Sequence, residues 1–231
     1  MSGQGLDLAA DKARALALTP VSRETEKRLD SLVEVLLLWQ QRQNLIAPST
    51  IPKVWTRHVA DSLQLLPLAA GAKIWADFGS GGGFPGIALA CALAEQAKTM
   101  VHLIESVGKK AAFLSEAVRA TGTNAIVHHM RAEDFAKSCA EPIDVVTARA
   151  VAPLKTLCDQ ALPLIAKGAI GLFSKGQDVD AELTEAAKYW TIQATKVPSV
   201  TSPDGQIVVI RGLAKRKLTQ NRHQNSRFRP K

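Results

Sequence analysis

The sequence predicts an α/β fold in which a mostly parallel sheet carries helices on both faces and ends on an antiparallel strand. Segments with strand and helix patterns alternate after residue 72, which is typical of parallel strands joined by crossover helices. A glycine-rich turn follows the first of these strands. The last two strand-like segments are joined by a connection too short for a helix, and this indicates an antiparallel pair.

Residues 1–71 are predicted to form a helical extension ahead of this sheet. Ser22 can cap a helix that runs to about Gln43, because leucines and valines recur behind it at helical spacing. A connector with two prolines follows over 44–53, and a second amphipathic helix is predicted over 55–66.

Residues 72–211 are predicted to form the sheet and its helices. Gly122 ends one helix, since glycine readily takes the left-handed conformation found at helix ends, and Pro153 suits a first helical position. The predicted strands are 74–76, 99–105, 124–130, 143–147, 169–173, 190–197 and 207–211. The predicted helices are 87–94, 109–121, 179–189 and one that begins at Pro153.

The net charge of +8 is confined to the end of the chain. Of the 29 basic residues, eight lie in residues 211–231, where there is no acid, which leaves 21 basic against 21 acidic residues in 1–210. We predict that the tail, residues 212–231, is disordered on its own and engages nucleic-acid phosphates without sequence preference. A tail that only keeps the chain in solution is the alternative interpretation.

Several classes of protein are disfavoured by composition. No run of about 18 apolar residues is present, which argues against a membrane span. The first 17 residues carry charges and lack the apolar centre of a signal peptide, so we expect a cytoplasmic protein. The three cysteines form no Cys-x-x-Cys pair, and no metal site is predicted.

The stretch 77–86, Asp-Phe-Gly-Ser-Gly-Gly-Gly-Phe-Pro-Gly, is the strongest local signal. Its glycines allow positive φ and close approach of a ligand, and the helix behind it directs free N–H groups to the same place. As a bare string, Gly81-x-Gly83-x-x-Gly86 matches a dinucleotide motif, so a nicotinamide-dependent oxidoreductase is one alternative. The carboxylate of Asp77 disfavours a pyrophosphate and favours a cationic ligand such as S-adenosylmethionine.

Two further segments follow neighbouring strands. Glu105 ends the second strand, where an acid can accept both ribose hydroxyls of an adenosine. Residues 131–134 follow the third strand, where the adenine edge would lie, although a surface turn is nearly as good an interpretation. Both segments are compatible with an adenosine-containing ligand.

Together these stretches resemble the glucose-inhibited division protein B family, the bacterial small-subunit rRNA methyltransferase G. The matching stretches are DFGSGGGFPGIALA (77–90), LIESVGKKAAFL (103–114), RAE (131–133), DVVTARAVAPLKTL (144–157), FSKG (173–176), RHVADSL (57–63) and Asn44-Leu45. The chain departs from the family's usual Trp-Asn and Asn-Leu-Thr at Gln40 and Ile46. The resemblance implies a Rossmann-like class I methyltransferase fold, S-adenosylmethionine as cofactor, and methylation of guanine N7 in the 530 loop of 16S rRNA.

Positions of the site follow from the resemblance and from the motifs. The resemblance implies cofactor contacts at Gly79, Phe84, Ala132, Glu133 and Arg149, to which the motifs add Gly81 and Glu105. We interpret Arg149 as the catalytic residue, because the end of a central strand can face both cofactor and base. A structural salt bridge to Asp77 or Glu133 is the alternative role for Arg149.

The candidate RNA contacts are Asn44, Arg57, His58 and Lys175. His58 and Asp61 lie three residues apart and share a helix face, although a packing role is as good an interpretation. Lys109 and Lys110 are further candidates for phosphate contacts. The expected partner is the small ribosomal subunit, and the expected oligomeric state is a monomer.

Two motifs that are missing from the chain support a ring nitrogen as methyl acceptor. Amine methyltransferases commonly carry Asn/Asp-Pro-Pro-aromatic after the fourth strand, where this chain has Thr-Ala-Arg-Ala over 147–150. Pyrimidine C5 methylation needs a nucleophilic cysteine, and no cysteine lies in a matching motif. Guanine N7 has a lone pair and no proton, so no general base is required. A non-catalytic RNA-binding protein with a vestigial pocket is the other alternative.

Overall fold

A seven-stranded β-sheet organises the chain, whose computed structural model describes residues 7–149 and 151–216. The strands are β1 (Ile74–Phe78), β2 (Met100–Glu105), β3 (Ala125–His129), β4 (Val145–Arg149), β5 (Ile170–Lys175), β6 (Trp190–Pro198) and β7 (Gln206–Lys215). The helices are α1 (Leu8–Leu18), α2 (Arg23–Gln40), α3 (Asp61–Leu63), α4 (Gly86–Leu93), α5 (Gly108–Thr121), α6 (Ala132–Ser138), α7 (Leu154–Ile165) and α8 (Val179–Ala187).

The strands lie in the order β3-β2-β1-β4-β5-β7-β6. Strands β1 to β5 pair in parallel, and β7 inserts antiparallel between β5 and β6. The prediction of a parallel sheet with an antiparallel last strand is therefore confirmed. The strand order changes direction at β1, with β2 and β3 on one side of it and β4 and β5 on the other. In open α/β sheets, ligands bind at such a switch point.

Two apolar layers cover the faces of the sheet. One contains α2, α4 and α5, and the other contains α6, α7 and α8. Leu29, Leu32 and Leu36 of α2 are fully buried, which matches the spacing that predicted this helix. Burial of each such leucine contributes about 1.5–3 kcal/mol. The extension before β1 is thus part of the same core as the sheet.

The N-terminal extension differs from the prediction in two respects. Helix α1 was not anticipated, because its pattern is weakly amphipathic and its stability depends on a tertiary contact. The buried Asp11 carboxylate accepts the N–H of Trp55 at 2.8 Å and of Thr56 at 3.2 Å. The helix expected over 55–66 is correspondingly divided into a π-helical turn (Trp55–Ala60), α3 and a 3₁₀ turn (Leu66–Ala69).

Other boundaries are corrected by hydrogen bonding between strands. Strand β4 reaches Arg149 and β5 reaches Lys175 because these residues pair with neighbouring strands. Strand β7 continues to Lys215, paired with β6, so residues 212–215 belong to the sheet rather than to the tail predicted from 212. Residues 217–231 of that tail lie outside the described residues. Helix α6 replaces the surface turn considered after β3.

None of the helices within the described residues is long and apolar enough to cross a bilayer.

Candidate active site

A cleft of about 950 Å³ opens along the carboxyl edge of the sheet. Carboxyl ends of parallel strands meet at one edge, so Gly79, Glu105, Arg149 and Lys175 all line this cleft although they are distant in sequence. The loop after α2 and the β6–β7 loop form its rim. The fold therefore brings together most of the residues that the sequence singled out.

The glycine turn after β1 has the conformation that only glycine adopts without strain. Gly79, Gly81 and Gly83 have φ values of +67°, +48° and +86°. The N–H groups of Gly79 and Ser80 both donate to the carbonyl of Ile104, at 2.8 and 3.1 Å, which ties the turn to β2. A Cβ on Gly79 would lie 2.6 Å from a methyl carbon of Val151. The prediction of positive φ at these glycines is confirmed.

Glu105 connects the end of β2 to the glycine turn. One carboxylate oxygen accepts the N–H of Gly81 at 3.0 Å, and the other accepts that of Val107 at 2.8 Å. The side chain lines the cleft but is only 6% exposed. Each carboxylate oxygen has a second lone pair, so Glu105 can still accept hydroxyl donors from a ligand.

Asp77 lies beneath the turn instead of facing the cleft. Its carboxylate accepts the N–H of Gly86 at 3.0 Å and the hydroxyl of Thr147 at 2.8 Å. Burial raises the pKa of Asp77 to about 6, while hydrogen bonds from Thr147, Ser80 and Gly86 oppose that rise. The Asp77 carboxylate, which the sequence suggested would favour a cationic ligand, thus accepts the first N–H of α4 and does not line the cleft.

The loop after α2 packs over the glycine turn and is held there by Gln40. The Gln40 amide accepts the N–H groups of Leu45 and Ile46 at 2.9 and 3.0 Å and donates to the Ile46 carbonyl at 2.9 Å. The Leu45 carbonyl oxygen lies 3.0 Å from where a Cβ on Gly82 would be. The two departures from the family pattern, Gln40 and Ile46, thus belong to one loop anchor, and the Ile46 side chain contributes packing in place of a hydroxyl.

Arg149 is bound on the side of the cleft formed by the N-terminal extension. Its guanidinium donates to the Arg57 carbonyl at 3.0 Å and to His58 Nδ1 at 2.7 Å. It also pairs with Asp61 across 3.4 Å. These three contacts, rather than Asp77 or Glu133, are the structural partners of Arg149. The face shared by His58 and Asp61 is therefore the surface on which the guanidinium lies.

His58 is held neutral in one tautomer by this contact. Burial, with the positive charges of Arg149 and Arg57, lowers the pKa of His58 to about 3. Arg149 has only donors to offer, so Nδ1 must accept and Nε2 carries the proton. That proton points to the Thr50 hydroxyl, 2.8 Å away, and Thr50 donates in turn to the Ala47 carbonyl at 2.7 Å.

The Phe84 ring provides the apolar surface of the site. Its centroid lies 5.2 Å from that of His58 and 5.5 Å from the guanidinium carbon of Arg149. Such a distance permits a cation–π contact. Phe84 is buried beside the glycine turn, so the ring connects the turn to the Arg149 cluster.

The remaining predicted site residues occupy different surroundings. Lys175 lines the cleft, but its ammonium pairs with Glu182 at 2.6 Å and donates to the Ala152 carbonyl at 2.8 Å. Its position favours bracing the cleft wall over contact with a phosphate. Arg57 is exposed at the mouth of the cleft.

Four predicted residues lie outside the cleft lining. Asn44 is exposed and precedes the loop that packs on the turn. Ala132 and Glu133 open α6 after β3, at the same edge of the sheet but beyond the cleft lining. Of the two helix-start lysines, Lys110 lines the cleft and Lys109 does not.

Sequence reasoning missed several residues that shape the cleft. Val151 packs against Gly79, and the Thr50 hydroxyl accepts a hydrogen bond from Nε2 of His58. Residues 199–205, treated only as a short connection, form part of the rim. No local pattern marks Val151 or Thr50, because their roles depend on contacts between distant segments.

Comparisons with known proteins agree with this geometry. A family model described as rRNA small subunit methyltransferase G matches residues 25–223. Proteins named ribosomal RNA small subunit methyltransferase G from Bradyrhizobium sp. (strain BTAi1) and Rhodopseudomonas palustris (strain BisB18) are 59% and 60% identical to the chain. The first alignment covers 88% of this chain and 91% of that protein, and the second covers 87% and 86%.

A solved structure gives the same result for the fold. The O-methyltransferase from Bacillus cereus in complex with SAH has a TM-score of 0.57 and 15% identity, over 87% of this chain and 96% of that one. At this identity the likeness shows the fold alone. The prediction of a Rossmann-like class I methyltransferase fold is confirmed.

Proposed function

Because the chain belongs to the rRNA small subunit methyltransferase G family, we propose that it methylates N7 of a guanine in the 530 loop of 16S rRNA. Family membership makes it an S-adenosylmethionine-dependent rRNA methyltransferase; the acceptor atom and the loop are the finer part of the proposal. The observation that carries the proposal is that the glycine turn with Glu105 and the Arg149 cluster line one cleft. A cofactor and a base can therefore meet within it.

The donor set of the cleft fits S-adenosylmethionine. Glu105 has lone pairs available for the two ribose hydroxyls, and the glycine turn leaves no Cβ to block an adenosine. The cofactor supplies a methyl group on a positively charged sulfur when it is bound. Asp61 and Glu105, which both line the cleft, are compatible with that charge.

The same geometry disfavours the nicotinamide alternative. In a dinucleotide site the turn and helix N–H groups bind the pyrophosphate. Here the N–H of Gly81 donates to Glu105 and the N–H of Gly86 donates to Asp77. Carboxylates thus already occupy these donors, and they would repel a pyrophosphate.

The residues of this chain would contribute orientation rather than proton transfer. Guanine N7 carries no proton, and alignment of reacting groups lowers a barrier by up to roughly 7–11 kcal/mol. Arg149 lies where a guanidinium can donate to guanine O6, and Phe84 offers an aromatic surface beside it. His58 is neutral and its Nε2 proton is engaged with Thr50, so its part is to hold Arg149.

Nucleophilic catalysis by cysteine is disfavoured as well. Burial raises the pKa of the Cys91 and Cys158 thiols to about 12. A thiol with so high a pKa has almost no reactive thiolate near neutral pH. These two cysteines are packing residues.

The proposal extends to organisation and location. Residues 1–71 would supply the substrate side of the cleft through His58 and Asp61, and residues 72–211 the cofactor side through Gly79 and Glu105. The chain would act as a monomer in the cytoplasm, with the small ribosomal subunit as its partner. Sedimentation of the purified chain, alone and with small subunits, tests the last two points.

Transfer of labelled methyl from S-adenosylmethionine to unmethylated 16S rRNA tests the function. Both intact small subunits and protein-free rRNA should be offered. Cleavage by borohydride and aniline, which is specific for 7-methylguanine, should then map a single site in the 530 loop. Label at another atom would overturn the N7 assignment, and label in another loop would overturn the assignment to the 530 loop.

Binding of S-adenosylhomocysteine by calorimetry separates the two alternatives. Saturable binding of S-adenosylhomocysteine without methyl transfer to either RNA would favour the non-catalytic RNA-binding protein. Binding of NAD(H) without binding of S-adenosylhomocysteine would favour the oxidoreductase.

A further inference from the structure

A second groove, of about 550 Å³, opens beside the cleft. It lies between α1, the segment 49–57 and the β6–β7 loop. Thr50 and Arg57 line both the groove and the cleft. Anything that extends out of the cleft past Arg57 therefore enters this groove.

The groove differs from the cleft in charge. Arg14, Lys53 and Arg57 line it, and no aspartate or glutamate is among the described residues of its walls. The cleft, by contrast, contains as many acids as cations, and its four acids are Asp61, Glu105, Glu182 and Asp204. The three cations are exposed. Within residues 7–149 and 151–216, no ion pair joins Arg14, Lys53 or Arg57 to a carboxylate.

Helix α1 forms the wall that carries Arg14, and side-chain contacts hold this helix in place. Asp11 binds the backbone of Trp55 and accepts the Thr56 hydroxyl at 2.7 Å. Lys12 of the same helix pairs with Glu26 at 2.7 Å and with Asp30 at 2.6 Å. Arg14 thus projects from a docked helix, although it precedes the residues that the family model matches.

The opposite wall is equally tied to the body. The N–H of Val200 donates to the Gln64 side chain at 2.9 Å, and the Thr201 hydroxyl donates to Asp61 at 2.6 Å. Val200 is 54% exposed, and Leu18 on the facing wall is 43% exposed. The groove therefore combines unpaired cations with apolar surface on walls that are fixed to each other.

We propose that this groove binds the sugar-phosphate backbone of the RNA next to the target guanine, with Arg14 and Lys53 contacting phosphates. This inference rests on the proposed function, because a base in the cleft leaves its neighbouring nucleotides outside. An all-cationic wall suits phosphate oxygens, and the apolar rim suits sugars or unstacked bases. The cations would also attract an acidic protein segment. RNA is favoured because the groove is continuous with the cleft that would hold the target base.

A charge-matched pair of variants tests the groove. R14Q/K53Q removes two groove cations, and K73Q/K137Q removes two exposed cations from the amino edge of the sheet. Binding to protein-free 16S rRNA is measured in the full-length chain over a series of salt concentrations, with S-adenosylhomocysteine present. For the groove variant the slope of log Kobs against log salt should fall in magnitude by about 1.4 to 1.8. The control should fall distinctly less.

Kinetics and folding complete the test. The groove variant should raise KM for rRNA, with kcat, the Kd of S-adenosylhomocysteine and the thermal midpoint unchanged. Equal behaviour of the two double variants, with wild-type methyl transfer intact, would overturn the groove while leaving the proposed function standing. Weaker binding to intact small subunits with unchanged binding to protein-free rRNA would instead indicate a ribosomal protein, and would overturn the RNA assignment. No methylation by the wild-type chain would overturn both.

Discussion

At the scale of single residues, the guanidinium of Arg149 determines the state of the groups around it. It fixes the His58 tautomer through Nδ1 and pairs with Asp61 in a site where both side chains are mostly buried. Removal of one partner from such a pair leaves the others uncompensated. Arg149 is therefore both a candidate substrate contact and a positioning residue, and experiments must separate the two roles.

Two substitutions of Arg149 separate substrate contact from positioning, because alanine removes the charge and lysine keeps it. R149A should lower kcat of methyl transfer by about 100-fold, the order seen when a preorganised donor is removed. R149K keeps the charge but not the planar fork, so it should restore the thermal midpoint more than kcat. Single-turnover methyl transfer, alongside thermal unfolding, measures both effects.

Arg119 supplies the control for this prediction. It is exposed on α5 and pairs only with its helix neighbour Glu116 within the described residues, so R119A should leave both quantities unchanged. Wild-type kcat in R149A would remove Arg149 from the site.

His58 makes the stability of the chain depend on pH. Its pKa in the folded chain is about 3, against an ordinary value of 6.5, so only the unfolded chain binds a proton between these values. The contribution of His58 to the free energy of unfolding is fully present above pH 6.5 and is lost as the pH falls toward 3. From pH 7 to pH 5 this loss is about 2 kcal/mol.

The H58Q variant isolates this effect, because glutamine keeps a hydrogen-bond acceptor and does not titrate. Denaturant unfolding at pH 7 and pH 5 should show a loss about 2 kcal/mol smaller in H58Q than in the wild type. Asp77, whose raised pKa acts in the opposite direction, is common to both proteins and cancels. Identical losses in the two proteins would show that His58 does not titrate as inferred.

At the scale of elements, the glycine turn is shaped by its neighbours as much as by its own sequence. Ile104 of β2 accepts two of its N–H groups, and Val151, just after β4, occupies the space next to Gly79. The loop anchored by Gln40 covers it from above. Three elements therefore meet at this turn, and a Cβ at Gly79 would have no room.

Replacement of Gly79 by alanine tests this packing. The left-handed φ costs an alanine about 1–2 kcal/mol, and the overlap with Val151 should add about 1–3 kcal/mol. Gly122 offers a matched control, because its φ is +58° and a Cβ there would meet nothing within 4 Å. G122A should therefore show the backbone cost alone in denaturant unfolding.

Cofactor affinity distinguishes the two alanine variants further. G79A should weaken binding of S-adenosylhomocysteine, whereas G122A should leave it unchanged. Equal losses of stability in both variants would indicate that Val151 moves aside at no cost.

At the scale of the whole molecule, charged side chains are distributed differently over the cleft, the adjoining groove and the end of the chain. The cleft at the carboxyl edge of the sheet contains four acids beside four cations, whereas the charged residues that line the adjoining groove are all cations within the described part of the chain. Residues 217–231, at the end of the chain, add five basic residues and no acid. We expect that segment to strengthen RNA binding without contributing to the cleft.

Deletion of residues 217–231 tests the basic segment and leaves β7 complete, since that strand ends at Lys215. Loss of five cations should flatten the salt dependence of rRNA binding by as much as about 4 in slope. Affinity for S-adenosylhomocysteine should not change. A full-length variant with these five residues replaced by glutamine should reproduce the deletion, and an unchanged slope in both would contradict a phosphate-binding role.

The sequence by itself determined the order of the seven strands along the chain, most of the helices between them, the glycine turn and the family. These features are local: alternation of apolar patterns, positive-φ glycines at 79, 81 and 83, and motif stretches such as 77–90. The interactions that produce these features act over a few residues, so the amino-acid sequence alone is enough to predict them. The Ser22 cap and the apolar face of α2 belong to the same class.

Only the tertiary structure decided which groups face the ligand. Asp77 lies one residue before the end of β1 and Glu105 ends β2, yet Asp77 is buried under the turn and Glu105 lines the cleft. Asp11 of an unanticipated helix caps the turn that presents His58 to Arg149. Hydrogen bonds between segments tens of residues apart depend on how the helices dock on the sheet, and no local pattern encodes that docking.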